Sequence, residues 1–306
     1  MLCERPVYIK NVEGLVSCGH CFPCRLNKRR QWTFRLVLET MVHQKNSWWG
    51  LSYDDAHLPH EVYDKDGVVY ESESLGTLDP NHLSNFIKRL RGRCDRFRFY
   101  GVGEYGERFS RPHYHLCLWG VDSSVIDSVQ TAWPYGRVTY EGPLSLESCQ
   151  YTAGYTVKKM TKASDDRLDG RYPEYARFSQ GIGKGAINQV VAALGLHVDR
   201  IHNIGDIPHS FSYNGRQWPL DRYMRSRIFY DLDLDGLKEE RYENYKKEMS
   251  LMLARSKDAI PAKFGASKEF SLEHMYRLDN AQKLLNTARR LELFDASKRR
   301  KERTTL

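Results

Sequence analysis

The stretch RPHYHLCLWG, residues 111–120, places His113 and His115 one residue apart in a run otherwise built as a β-strand. Strand side chains alternate between faces, so His113, His115, Cys117 and Trp119 share one side while Tyr114, Leu116 and Leu118 share the other. RFRFYGVGE, residues 96–104, alternates in the same way, and Gly106 and Pro112 bound a loop between the two runs. If the runs pair as a hairpin, Glu104, nine residues before His113, brings a carboxylate to the imidazole face. Two imidazoles and one carboxylate, with positions left for water and substrate oxygens, suit Mg2+ or Mn2+ on a phosphate; Zn2+ fits the same donors. The structural alternative is a pair of hydrogen-bonded histidines on a half-exposed strand, beside a strand-end surface carboxylate.

The flanking elements follow a definite order. SWWGLSY reads as a strand, and DDAHLPHEVYDKDGVVYESES as a polar loop of turn formers. Asp79 and Pro80 open a helix as N-cap and first-turn proline, with Leu83, Phe86, Ile87 and Leu90 as its buried stripe. VDSSVIDSVQTAW is a helix, GRVTY a short strand, and Ser145 begins a helix through Met160. From residue 47 the order is β, α, β, β, α, β, α, which predicts an α+β fold: a ferredoxin-like antiparallel sheet with helices on one face and an open face for a site.

Beyond residue 165 the signal weakens. SQGIGKGAIN has the spacing G-x-G-x-G without the strand or fuller pattern of a phosphate-binding loop, so it reads as a flexible loop or a DNA-backbone contact. IPHSFSYNGRQWPLDRYM predicts a hairpin about Asn214 and Gly215. LKEERYENYKKEMSLMLARSK and EFSLEHMYRLDNAQKLLNTARRLELF are charged amphipathic helices, and ASKRRKERTTL is a basic tail. The expected organisation is a Cys-rich segment and basic helix over 1–46, the core over 47–165, a loop and hairpin extension over 166–230, and a charged helical C-terminal region over 231–306.

The N-terminal segment carries a second candidate site. Cys3, Cys18, Cys21 and Cys24 lie in the first 24 residues, and CGHCFPC has the spacing that lets thiolates converge on one tetrahedral ion. Structural Zn2+ is the leading reading, with four thiolates if Cys3 folds back, or with His20 in place of one; ordinary reduced cysteines and an iron–sulfur cluster are the alternatives. Cys94, Cys117 and Cys149 are scattered and read as apolar filler. After this knuckle, RLNKRRQWTFRLVLETMVHQ reads as a helix whose start is crowded by Arg25, Lys28, Arg29 and Arg30. Cations there gain nothing from the helix dipole, which points to a phosphate partner or a solvated basic face. A net charge of +8 with 19 tyrosines and 6 tryptophans suits nucleic acid, because cations neutralise phosphates and aromatic faces stack on bases. No apolar run approaches the length of a membrane span, and MLCERPVYIK lacks the core of a signal peptide, so no membrane association and a cytosolic location are expected.

CQYTAGYTVKKM puts Tyr151 and Tyr155 on one helix face, with Lys158 and Lys159 one turn on. Tyrosines at this spacing pack into cores in many helices. Gly154, between them, costs about 1 kcal/mol relative to alanine in a helix interior, which implies close approach by another backbone or a ligand. A phenol is a weak nucleophile at neutral pH unless a cation stabilises the developing charge.

Together these residues carry a family resemblance. RPHYHLCLWG resembles the His-hydrophobic-His motif of rolling-circle replication initiators, and YTAGYTVKK resembles the motif of those with paired tyrosines. WWGLSYDDAHLP is similar to their first motif, with Ser52 where threonine is usual, and CGHCFPCRLNKRR resembles the N-terminal segment of gokushovirus-like Microviridae initiators. The resemblance implies a His-hydrophobic-His endonuclease that nicks one strand of origin DNA, becomes linked to the 5′-phosphate and rejoins ends. It implies His113, His115 and Glu104 as metal ligands, Tyr151 and Tyr155 as nucleophiles, and Lys158 as the motif lysine; the basic residues Arg25, Lys28, Arg29, Arg30 and Lys159 are the candidate DNA contacts. Single-stranded origin DNA, host polymerase and host helicase are the implied partners, in the cytoplasm of a bacterial host. A plasmid relaxase or single-strand transposase shares this chemistry, and a non-catalytic zinc-containing nucleic-acid-binding protein is the rival from another class.

Overall fold

The computed structural model describes residues 3, 7–9, 14–63, 69–71, 76–106, 109–158, 166–168, 170–195, 207, 210–213 and 215–231. The chain forms two compact units, one of Met1–Asn27, His197–Pro208 and Leu232–Leu306, the other of Lys28–Leu196 and His209–Asp231. The charged helices and basic tail expected beyond residue 231, together with Lys159 and Asn214, lie outside the described residues.

In the first unit, β1 (Val7–Ile9) pairs antiparallel with β2 (Gly14–Val16). Helix α1 (Phe22–Met41), which from Lys28 onward belongs to the second unit, begins three residues before the expected start, because Pro23 in its first turn gives up an N–H that a helix start leaves unbonded anyway.

The second unit is built on a five-stranded antiparallel sheet. Its strands are β3 (Asn46–Ser52), β6 (Arg98–Tyr105), β7 (Pro112–Trp119), β8 (Val138–Gly142) and β9 (Tyr175–Phe178), in the order β8-β3-β7-β6-β9. The α+β class therefore holds. A short hairpin of β4 (Glu61–Tyr63) and β5 (Val69–Glu71) stands where a polar loop was expected; valine and tyrosine on both sides of the Asp-Gly turn signal favour pairing over coil. The edge strand β9 was also missed, being short and carrying an arginine among its four residues. The hairpin expected about Gly215 forms between β10 (Ser210–Tyr213) and β11 (Arg216–Pro219).

One face of the sheet packs on α2 (Pro80–Arg91) and α3 (Ile126–Ala132). Asp79 caps α2 by accepting the Asn81 N–H at 2.7 Å, as the sequence pattern required. Leu83, Phe86, Ile87 and Leu90 pack against Trp49, Leu51, Tyr114, Leu116 and Leu118 of β3 and β7. The opposite face, expected to be open, is covered. Tyr100, Val102, Cys117 and Trp119 pack there against Leu36 of α1 and Cys149, Ala153 and Tyr155 of α4 (Leu146–Lys158). This follows from the strands themselves: Tyr100, Val102, Cys117 and Trp119 put a large apolar patch on this face beside the polar group, and that patch has to be buried.

The glycine-rich segment expected to be flexible is a packed turn. Gly183 takes φ +82, its N–H donates to Glu39 Oε2 at 2.6 Å, and Ile182 and Ala186 are buried. The Ile182 carbonyl accepts Arg35 Nε at 2.9 Å, which ties the turn to α1.

Phe86 is fully buried between α2 and the sheet. Phe86→Ala removes that burial and leaves a cavity, so unfolding in urea should show about 3–5 kcal/mol of lost stability.

Candidate active site

Antiparallel pairing sets β6 against β7 with Glu104 opposite His113 and Val102 opposite His115. The two imidazoles and the carboxylate therefore meet on one face, and their ligand atoms all lie within 4.8 Å of one another. Glu104 Oε1 is 2.8 Å from His113 Nε2 and 3.3 Å from His115 Nε2. His113 Nδ1 donates to the Arg111 carbonyl at 3.1 Å, which turns Nε2 toward Glu104. Adjacent donors of an octahedral ion with bonds of about 2.1 Å stand about 3 Å apart, so this spacing suits a small divalent cation without rearrangement.

Charge is balanced inside the group. Burial would raise the Glu104 carboxyl, but the hydrogen bonds from His113 and His115 outweigh it and hold the carboxyl below its ordinary value. Burial opposes charge on His113, yet the Glu104 carboxylate, the Arg111 carbonyl and the charge of Glu174 raise it. His115 Nδ1 is buried with no hydrogen-bond partner, so the polar contacts of that ring fall on its Nε2 side.

Helix α4 lays its tyrosines over this group. The Tyr155 ring stacks on His115, with centroids 5.1 Å apart and planes 7° apart, and its hydroxyl lies 3.4 Å from His115 Nε2. Tyr151 meets Tyr155 edge-on at 4.9 Å and His115 at 5.3 Å. The two phenols differ in access: Tyr151 is 47% exposed and Tyr155 only 6%. Burial, with Tyr151 and the Glu104 carboxylate beside it, pushes the Tyr155 phenol well above its ordinary value. A nearby positive charge would reverse that penalty.

Residues 46–164, which contain all five of these side chains, match the family model of the replication-associated protein ORF2. The chain is 28% identical over 266 residues to Replication-associated protein ORF2 of Spiroplasma virus 4, covering 78% of this chain and 76% of that protein. The chain is thus similar in sequence to proteins named as replication-associated in a spiroplasma virus and two bacterial phages. Replication-associated protein VP4 of Bdellovibrio phage phiMH2K is 27% identical over 67% of this chain and 65% of its own length. Replication-associated protein ORF4 of Chlamydia phage 1 is 27% identical over 37% of this chain and 26% of its own length. No solved structure matches the chain.

The four N-terminal cysteines also converge, with their sulfurs within 4.8 Å of one another and those of Cys3 and Cys21 3.9 Å apart. Tetrahedral thiolates at about 2.3 Å from a zinc ion stand about 3.8 Å apart, so the donor set fits that ion. Cys18 Sγ accepts the backbone N–H groups of His20 and Cys21, each at 3.4 Å. Burial works against the thiolate there, but these bonds prevail and lower the Cys18 thiol to about 6. Burial and the neighbouring sulfur of Cys21 raise Cys24 instead. His20 adds its backbone N–H; its imidazole is not among the converging donors.

The basic residues are less uniform than the replication-protein resemblance implied. Lys28 and Arg30 are exposed on α1, with Arg30 Nη2 donating to the Gln217 carbonyl at 2.8 Å. Arg25 is half-buried in the first turns of α1, and Arg29 lies against α4, its Nε donating to the Gln150 carbonyl at 3.3 Å. Lys158 ends α4, and its side chain lies outside the described set. Three contributors were missed in the sequence. Trp48 packs edge-on to Tyr151 at 5.5 Å, which its alternation with Trp49 would have shown. Gly50 pairs with His115 in the register and puts no side chain beside it on β3. Glu174, just before β9, accepts the Tyr105 N–H at 3.3 Å, and no sequence signal put it beside β6.

Proposed function

We propose that the chain initiates phage DNA replication as a tyrosine-nucleophile nickase and strand transferase acting on single-stranded origin DNA in the cytoplasm of the bacterial host. The observation that carries this reading is the stacking of Tyr155 on His115, with Glu104 and His113 in contact and Tyr151 at the rim. The order β8-β3-β7-β6 is the one a ferredoxin-like β-α-β-β-α-β chain produces, which supports the His-hydrophobic-His endonuclease fold. Relatives named as replication-associated proteins favour an initiator over a relaxase or transposase. Host polymerase would extend the freed 3′-end, with a host helicase opening the duplex.

Glu104, His113 and His115 would hold Mg2+ or Mn2+, which when bound draws charge from a phosphate oxygen and favours ionisation of a nearby phenol. A tyrosine oxygen forms a bond to phosphorus, the P–O3′ bond breaks, and the proton given up by the phenol is balanced by one taken up at the departing 3′-oxygen. The reverse exchange, with a 3′-hydroxyl attacking the phosphotyrosine, rejoins ends and releases a single-stranded circle. Two phenols answer the need for a second cut at the regenerated origin while the first tyrosine is still linked. Lys158 and Lys159 follow in the motif as counter-charges for the phosphate. Cys3, Cys18, Cys21 and Cys24 would hold a structural Zn2+.

With labelled single-stranded origin DNA and Mn2+, the protein should form an SDS-stable adduct. His113→Ala or His115→Ala should abolish that adduct while changing single-stranded DNA binding only a few-fold, because binding spreads over basic and aromatic contacts. Equal loss of both would make the pair structural. Tyr151→Phe and Tyr155→Phe should each retain single-turnover nicking, with the larger loss at Tyr155, and the double change should form no adduct. Loss of all adduct in one single variant with no effect of the other on nicking or circle release would remove the alternating mechanism. For the cysteines, elemental analysis after chelator-free purification should find about one zinc per chain, and Cys21→Ser should lose it and destabilise the N-terminal segment. A metal-free wild-type protein would refute the zinc site.

A further inference from the structure

Arg29 projects from α1 onto the nucleophile helix. Its Nε donates to the Gln150 carbonyl at 3.3 Å, one residue before Tyr151. A Cβ added at Gly154, one residue before Tyr155, would lie 3.5 Å from Arg29 Nε, 3.6 Å from Cζ and 3.7 Å from one terminal nitrogen. The guanidinium therefore lies beside Gly154 at ordinary contact distance, where the sequence predicts another backbone or a ligand. Its single bond goes to a carbonyl within α4, and among the described residues it has no carboxylate partner. A guanidinium carries five N–H donors in a planar fork, so among the described residues its other donors stay uncommitted beside the helix that carries the two phenols.

This placement is fixed rather than incidental. One turn on from Arg29, Trp32 packs against Tyr100 at 5.0 Å and Phe178 at 4.4 Å, which anchors this stretch of α1 to the sheet. Gln150 and Gly154 lie one turn apart on α4, to the side of the turn that presents Tyr151 and Tyr155, with Gln150 half-buried and Tyr151 exposed. A planar, permanently charged fork held at a helix face with no counter-ion among the described residues matches a phosphodiester, which accepts two parallel N–H bonds.

We infer that Arg29 is a backbone-phosphate clamp of the nicking site, holding a DNA phosphate next to the scissile one so that Tyr151 and Tyr155 meet the same linkage. The inference rests on the nickase reading and adds a residue to it: Gly154 is the seat of the clamp, and Arg29 acts on the substrate. Its role differs from that of Lys28 and Arg30, which are exposed on the same helix.

The test measures single-turnover adduct formation on origin oligonucleotides in which one phosphate at a time near the nick is replaced by an uncharged methylphosphonate. In the wild-type protein one such position should slow the reaction about ten- to a hundredfold, the size of a lost charge-assisted hydrogen bond. Arg29→Ala should slow reaction on all-phosphate DNA by a similar factor and become insensitive to that same position. Arg29→Lys should recover part of the rate. Gly154→Ala, whose Cβ meets only ordinary contact distances, should be nearly silent, and Gly154→Leu, which displaces the guanidinium, should reproduce Arg29→Ala. If the Arg29→Ala and methylphosphonate effects multiply independently at every position, or Arg29→Ala reacts at the wild-type rate, the clamp is refuted. Absence of adduct with wild-type protein would refute the nickase reading and the clamp with it, whereas a wild-type adduct with no Arg29 coupling refutes the clamp alone.

Discussion

The pairing of β6 with β7 is the constraint on which the rest depends. Side chains alternate along a strand, so a slip of one residue would send Glu104 to the α2 face and separate it from both histidines. Several contacts hold this register. Gly106 N–H donates to the Arg111 carbonyl at 3.0 Å and Ser110 N–H to the Gly106 carbonyl at 2.9 Å, which closes the connecting loop. Buried Arg171 donates to the Ser110 carbonyl at 2.9 Å from outside the hairpin. Gly103 fits against Tyr114 so closely that an added Cβ would lie 2.9 Å from its ring, which leaves no room for a side chain at that register. Strands on both sides, β3 and β9, then lock the hairpin into the sheet.

A polar group of this kind would be costly inside an apolar layer if its members were left alone. Here the costs cancel pairwise. Glu104 is buried but accepts from both imidazoles, and His113 is oriented by the Arg111 carbonyl as well as by Glu104. The apolar surroundings of Tyr100, Val102, Cys117 and Ala153 keep the local dielectric low, so each charge added to the site acts strongly on the others. That is why the Tyr155 phenol is driven up beside an anion, and why a cation at the same place would act so strongly in the opposite direction.

Much of this arrangement is legible in the sequence because it depends on short periods. The spacing of His113 and His115, the offset to Glu104 and the helical repeat of Tyr151 and Tyr155 each follow from one local geometry. The covered second face was not, although Tyr100, Cys117 and Trp119 carried the information: three large or apolar residues on one face of two paired strands require a cover. The contacts of Glu174 and Arg29 were beyond reach for another reason. Glu174 depends on β9 docking beside β6, and Arg29 depends on α1 crossing to α4, and no local period encodes either approach. The meaning of Gly154 was half-visible, since its cost announced a close neighbour without saying which.

The unequal exposure of the two tyrosines bears on how a strand of DNA can enter. Tyr155 is sealed by its stack on His115, whereas Tyr151 stands half in solvent against Trp48. Gly50, paired with His115, removes the side chain that would otherwise stand on β3 beside the histidine, and β8 beyond it is mostly half-exposed. Trp48 and Tyr151 thus form the exposed side of the group, while Glu104 and Tyr155 are buried. Arg29 of α1 lies along the flank of α4, so under the nickase reading a phosphate bound there would orient the strand beside the tyrosine helix. Access from one side, with the buried phenol at the inner end and the exposed one at the outer, gives the two tyrosines different environments on one rigid helix. Their difference in exposure goes with their neighbours, Tyr155 stacked on His115 and Tyr151 edge-on to Trp48.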